Sequence, residues 1–181
     1  MARKMLGLAV ATWCAPLLVA CAGAPGATPI TIPDNLNVAP PQTLSLEVQA
    51  SGVQIYQCAV AKADASQFEW RFVAPQADLF DRDGKKIGRH YAGPTWESID
   101  GSKVVGAVQA QNAGPDAGAI PWLLLSAKST SGTGVFGLTQ SIQRLQTVGG
   151  KAPAAGCDQA QLGKEARVPY QAIYRFYSAR S

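Results

Sequence analysis

The chain has 181 residues, of which 47% are hydrophobic and 15% charged, and it carries a formal charge of +4. That length builds one domain with a sizeable core and is too short for two. No basic stripe with interleaved aromatics occurs in it, which excludes a nucleic-acid partner.

The first predicted element is a leader. Arg3 and Lys4 precede an apolar run from Met5 to Ala20, the length of a signal-peptide core. Pro16 interrupts the run, and it falls short of the roughly 20 apolar residues of a spanning helix. Leu18, Val19 and Ala20 before Cys21 resemble the lipobox of bacterial lipoproteins. That signal implies a leader over residues 1–20, cleavage before Cys21 and acylation of Cys21. The alternative is an ordinary secretory leader with Cys21 incidental. In Gram-negative bacteria, Ala22 rather than Asp after the acylated cysteine implies an outer-membrane lipoprotein facing the periplasm. The partner at this end is then the membrane, through the lipid. Residues 21–41 are rich in Ala, Pro, Gly and Thr and read as a flexible tether. The folded domain is expected over residues 42–181.

Within that domain the dominant period is two. Leu44, Leu46 and Val48 alternate with polar partners, as do Phe68, Trp70 and Phe72, and Tyr170, Ala172, Tyr174 and Phe176. Strands are also expected over residues 77–82 and 85–91, joined at Asp83-Gly84, with a second hairpin around Asp100-Gly101. Asp-Gly supplies the positive φ that a tight hairpin requires. The continuous apolar run Ile120 to Leu125 reads as a central strand buried on both faces. Residues 135–148 fit helical spacing and strand spacing alike; the β-rich surroundings favour strand. The whole predicts an all-β fold, a single antiparallel sandwich or barrel.

Cys14 leaves with the leader and Cys21 is taken by lipid, so Cys58 and Cys157 remain. An even remainder in an oxidising compartment predicts a Cys58–Cys157 disulfide. The alternative, a reactive thiol, fits poorly with the apolar alternation around Cys58.

Motifs that could carry chemistry are few. Residues 132–137, GTGVFG, match the dinucleotide fingerprint, but no helix follows and no second strand ends at Asp158. They read as a glycine-rich turn, and no cofactor is expected. A nucleophilic triad would have to use His90, the single histidine, with Ser98 or Ser102 beyond a Gly-Pro turn. A metal site of His90, Glu97 and Asp100 suffers the same shortage of ligands, and none is predicted. No spacing selects a carboxylate pair among Asp78, Asp81, Glu97 and Asp100. Arg144 is a lone cation in an alternating stretch and reads as a solvated or salt-bridged face rather than an anion clamp.

Taken together, HYAGPTWESIDGSKV, GVQIYQC, AIPWLLL, IQRLQTVGGKAPAAGCD and VPYQAIYRFY resemble the family catalogued as domain of unknown function 3455. The resemblance covers about residues 30–178. It implies secreted or envelope proteins of bacteria and fungi, all-β, with no established activity and no catalytic residue to carry over. Beside it, the residues support a non-catalytic domain that binds a small molecule, a glycan or a protein. His90, Tyr91, Trp96, Glu97 and Trp122 are the candidate ligand-binding residues, with Trp96 displaced by the Gly93-Pro94 bend to a pocket mouth. For His90 itself, a structural imidazole hydrogen-bonded at a strand end is favoured over the ligand role. Two rival functions stay open: a polysaccharide hydrolase using Glu97 or Asp100 with His90, and an inhibitor-like interaction module.

Overall fold

A computed structural model of the chain describes residues 30–179. Its strands are β1 (Gln42–Val60), β2 (Phe68–Phe80), β3 (Lys86–Tyr91), β4 (Thr95–Ser98), β5 (Lys103–Asn112), β6 (Trp122–Ser131), β7 (Thr139–Gly149) and β8 (Glu165–Ala179). Each runs antiparallel to the next, and β1 pairs with both β2 and β8. The eight strands thus close on themselves in sequence order, an up-and-down barrel. The all-β expectation holds, in its barrel form. The leader over residues 1–20 and the acylation site Cys21 lie outside the described residues. Among the described residues no helix is long and apolar enough to cross a membrane.

Local chemistry explains the closure. Gly84 (φ 76°) and Gly101 (φ 85°) take the left-handed backbone that both Asp-Gly turns need. At the first turn the Asp81 carboxylate accepts the Asp83 and Lys85 backbone N–H groups. The segments expected separately around Trp70 and Leu79 are one strand, β2, which ends at Phe80 rather than Arg82. They are divided by a bulge. Tyr56 faces Phe72 and Ile55 faces Ala74, so Val73 has no partner and the side-chain parity switches there.

The barrel interior holds the alternating residues of β1 and β8, with Val48, Ala50, Tyr170, Ala172, Tyr174 and Phe176 all buried. Residues 135–148 are strand from Thr139 onward, as favoured. The glycine-rich GTGVFG segment is the β6–β7 loop. Its Phe136 is fully buried and packs on Phe176 at 4.6 Å between ring centroids, plugging one barrel end.

A second apolar cluster lies apart from the interior one. Leu36, Trp122 and Leu145 are buried together, with Ile30, Ile32 and Leu124 against them. Gln143 Nε2 donates to the Leu36 carbonyl at 2.6 Å, and Asn35 Nδ2 donates to the Gln111 carbonyl at 2.9 Å. The tether expected over residues 21–41 is therefore corrected from Ile30 onward, where the chain is strapped to the sheet. Composition misleads because one leucine suffices when the sheet already offers an apolar face. The strap also explains β6, which is covered on both sides only near Trp122 and becomes exposed from Lys128 to Ser131.

Candidate ligand-binding site

Opposite the Phe136 plug, the interior is not filled. A cavity of about 640 Å³ lies among Tyr56, Phe72, His90, Trp96, Arg144 and Tyr174. That size is in the range of small-molecule sites. Its opening follows from strand lengths. β3 and β4 are short, with 6 and 4 residues. β2 pairs with β3 only from Ala77 on, and β5 pairs with β4 only as far as Val105. Beyond those points β2 and β5 flank a notch in the wall, with the Gly93-Pro94 turn beneath it and Ile120-Pro121 beside it. Phe72, Val73 and Val108 rim the notch and are 53%, 51% and 54% exposed. The Val73 bulge places two successive apolar side chains there.

The inner wall is aromatic. The His90 imidazole stacks on the Trp96 indole at 4.3 Å and 13°, and Tyr174 meets both edge-on at 5.1 and 5.2 Å. Gly106 makes this possible, since a Cβ there would lie 2.9 Å from the Trp96 ring. His90 Nδ1 is 2.8 Å from the Thr95 carbonyl, so it must carry the proton, leaving Nε2 as an acceptor. Burial pushes the imidazole pKa down to about 3, against the opposing effect of the Thr95 hydrogen bond, and Arg144 adds to the lowering. His90 is thus a neutral ring at ordinary pH.

Polar groups deep in the barrel are left without partners. Gln54 Nε2, Trp96 Nε1 and the hydroxyls of Tyr170 and Tyr174 are buried and make no hydrogen bond of normal geometry, with Tyr170 in looser reach of Gln54 and Tyr174, and Tyr174 of Arg144. Burial raises the pKa of both tyrosines. A buried donor wholly without a partner, as Trp96 Nε1 is, costs about 1–3 kcal/mol. Arg144 reaches in beside them. Its Nε and Nη2 donate to the Pro121 carbonyl at 3.0 and 2.8 Å, and it enters none of the ion pairs among the described residues.

Residues 39–178 match the family described as protein of unknown function, DUF3455. The chain belongs to this family. A comparison with curated proteins finds no match.

In this DUF3455 domain the five candidate residues do not form one site. His90 and Trp96 line the cavity, but Trp96 is 1% exposed and forms the inner wall, not the mouth. The Gly93-Pro94 bend does not displace it, because it sits directly across from His90 and Val104 in the sheet. Neighbouring side chains alternate across the sheet, so Tyr91 and Glu97 point the other way. There Glu97 accepts from Arg89 Nε at 2.9 Å and from the Tyr91 hydroxyl at 3.0 Å, with Lys103 Nζ at 3.2 Å. The Arg89 bond, aided by Tyr91 and Lys103, lowers the Glu97 pKa. Trp122 is buried in the strap cluster.

Asp100 lies at the plugged end. Its carboxylate accepts from Ser102 Oγ at 2.6 Å, Ser102 N at 2.8 Å and Val135 N at 3.0 Å. These bonds lower its pKa to about 2, that from the Ser102 hydroxyl most. It ties two loops together. His90, Glu97 and Asp100 consequently face the interior, the outer surface and a turn, an arrangement that cannot serve the hydrolase reading. Among the described residues no group of three or more His, Cys, Asp or Glu could hold a metal.

Cys58 and Cys157 form the expected disulfide, with 5.3 Å between Cα atoms. It ties the β7–β8 loop to β1 at the open end. Sequence reasoning missed Arg144 and the rim residues. Arg144 shares the parity of inward-facing Ile142, a signal that could have placed it inside.

Proposed function

We propose that this domain is a binding module for a small, largely apolar molecule held in the barrel cavity. One observation carries the reading: the interior is packed at one end and open at the other, where exposed Phe72, Val73 and Val108 lead to a wall of His90, Trp96 and Tyr174. A monomeric barrel without a ligand gains stability by filling such space, and exposed apolar rims accompany binding. The cell envelope is the compartment in which we place this activity, anchored through Cys21. The lipobox string supports that placement, and the disulfide agrees with it.

The test is a thermal-shift and tryptophan-fluorescence screen of apolar small molecules on the purified full chain. A true occupant raises the melting temperature and changes the emission of Trp96, and Trp96→Phe removes that part of the change. A screen in which no apolar compound stabilises the chain overturns the reading.

A further inference from the structure

Among the described residues the cavity lining holds one cation, Arg144, and no carboxylate. Among its lining groups, Gln54 Nε2, Trp96 Nε1 and Tyr174 Oη can donate a hydrogen bond, and Tyr170 Oη lies behind them within looser side-chain reach of Gln54 and Tyr174. Arg144 adds further donors. Two of its N–H groups go to the Pro121 carbonyl, and a looser side-chain contact runs to the Tyr174 hydroxyl. The acceptors of the wall are all neutral: His90 Nε2, left free when Nδ1 donates to Thr95, the amide oxygens of Gln54 and Gln111, and the tyrosine oxygens.

Charge is unbalanced. A guanidinium keeps its positive charge in proteins, and Arg144, partly buried, carries it into the wall without a counter-ion among the described residues. The acidic side chains of the ion-pair network are committed elsewhere: Glu97 to Arg89 and Lys103, Glu47 to Arg175, Asp78 to Lys86, Glu69 to Arg71. The groups whose ionisation feels Arg144 are His90, Tyr56, Tyr170 and Tyr174, none of them an anion at neutral pH. Across the β7–β8 ladder Arg144 is the direct partner of Tyr174, which puts a cation beside a hydroxyl that it and Tyr170 reach only loosely, in the cavity wall.

We infer that the occupant is an amphiphilic carboxylate, its carboxyl group seated on Arg144 and the Tyr174 hydroxyl and its apolar body lying toward Phe72, Val73 and Val108. This rests on the binding reading above and names the class of ligand. A carboxylate accepts only, offers about four lone-pair sites and matches the planar guanidinium fork, so it answers the unpaired charge and takes bonds from the donors beside it. A neutral alcohol brings a donor of its own and no charge.

The experiment measures affinities of the full chain for hexadecanoic acid and 2-naphthoic acid, each beside the alcohol and the primary amine of the same skeleton. Calorimetry is run on the native protein and on Arg144→Gln and Tyr174→Phe, with far-ultraviolet circular dichroism to establish folding. At least one acid is expected to bind ten or more times tighter than its alcohol, with the amine weakest. Arg144→Gln should erase that preference while leaving the alcohol within about twofold, and Tyr174→Phe, which keeps the ring, should weaken the acid severalfold. If Arg144→Gln does not fold, Arg144→Lys, which keeps the charge and loses the fork, should retain part of the preference. Equal binding of acid and alcohol, or an acid preference untouched by Arg144→Gln and Tyr174→Phe, overturns the carboxylate while leaving the binding cavity standing. Absence of binding by all six compounds overturns the carboxylate inference, and the wider screen then decides the binding reading separately.

Discussion

The two ends of the barrel are built on opposite principles. At the plugged end Phe136 fills the interior against Phe176, and Asp100 and Ser102 lock the β4–β5 turn to the loop that carries it. At the open end aromatic side chains surround space instead of filling it, and the Cys58–Cys157 disulfide ties the chain there. Space kept free for a ligand is apolar contact withheld from stability. The open end therefore relies on covalent and hydrogen-bonded restraints: Trp70 Nε1 donates to the Ala155 carbonyl at 3.0 Å, and the Tyr56 hydroxyl to the Gly150 carbonyl at 2.6 Å.

The largest effect should come from breaking that restraint. Cys58 and Cys157 are 99 residues apart in sequence, and in the chain-entropy picture such a link stabilises by roughly 4–5 kcal/mol. Replacing both by serine should lower stability by up to that amount in denaturant titrations. Hydrogen exchange should accelerate first in residues 150–164, while the plugged end keeps its protection. Uniform acceleration at both ends would mean that the two ends are held by the same restraints.

Next in size is the plug itself. Phe136→Ala removes a fully buried ring and should cost about 3 kcal/mol, lowering the melting temperature by roughly 10 °C. Ligand affinity at the opposite end should stay within about twofold. A loss of binding without loss of stability would show that the two ends are not independent.

Acid should act on the wall between them. His90 titrates near 6.5 when unfolded and near 3 when folded. Below 6.5 the unfolded chain binds a proton that the native ring refuses, so stability present above that pH is lost as pH falls toward 3. Between pH 7 and pH 4.5 this amounts to roughly 3 kcal/mol. His90→Asn should flatten the fall over that window, whatever its starting stability, as read from denaturant midpoints.

What could be read in the sequence follows from what is local. Strand alternation in β8, the Asp-Gly turns and the cysteine pair depend on a few adjacent residues or on compartment, and each was legible. The misreadings all involve a partner distant in sequence. Leu36 looks like linker until the apolar outer face near Trp122 and Leu145 is known. Trp96 looks displaced by its bend until Gly106, ten positions on, is seen to make room for the ring. The parity of Phe72 and Val73 turns on a bulge fixed by pairing with Ile55 and Tyr56. Arg144 looks solvated among its polar neighbours in sequence, whereas its surroundings are Pro121 and Tyr174. The site is harder to read than the fold because it is made where the regular pattern breaks.

The smallest effect on stability should be the most informative about function. Phe72 and Val73 are about half exposed, and Phe72 touches Tyr56 only edge-on at 5.7 Å. Replacing both by serine removes apolar surface that water already wets, so folding should lose under about 1 kcal/mol. A ligand body lying against the same two side chains loses its dry contact altogether. Burial of one such side chain is worth about 1.5–3 kcal/mol when complete, and partial coverage of two implies a tenfold or greater loss of affinity. The expected signature is thus an unchanged melting temperature for the free protein together with a much smaller ligand-induced shift. An equal fall in both would mean that the rim belongs to the core. No change in either would place the apolar body of the ligand elsewhere, deeper against Trp96 and Leu125, with the notch serving only as a passage.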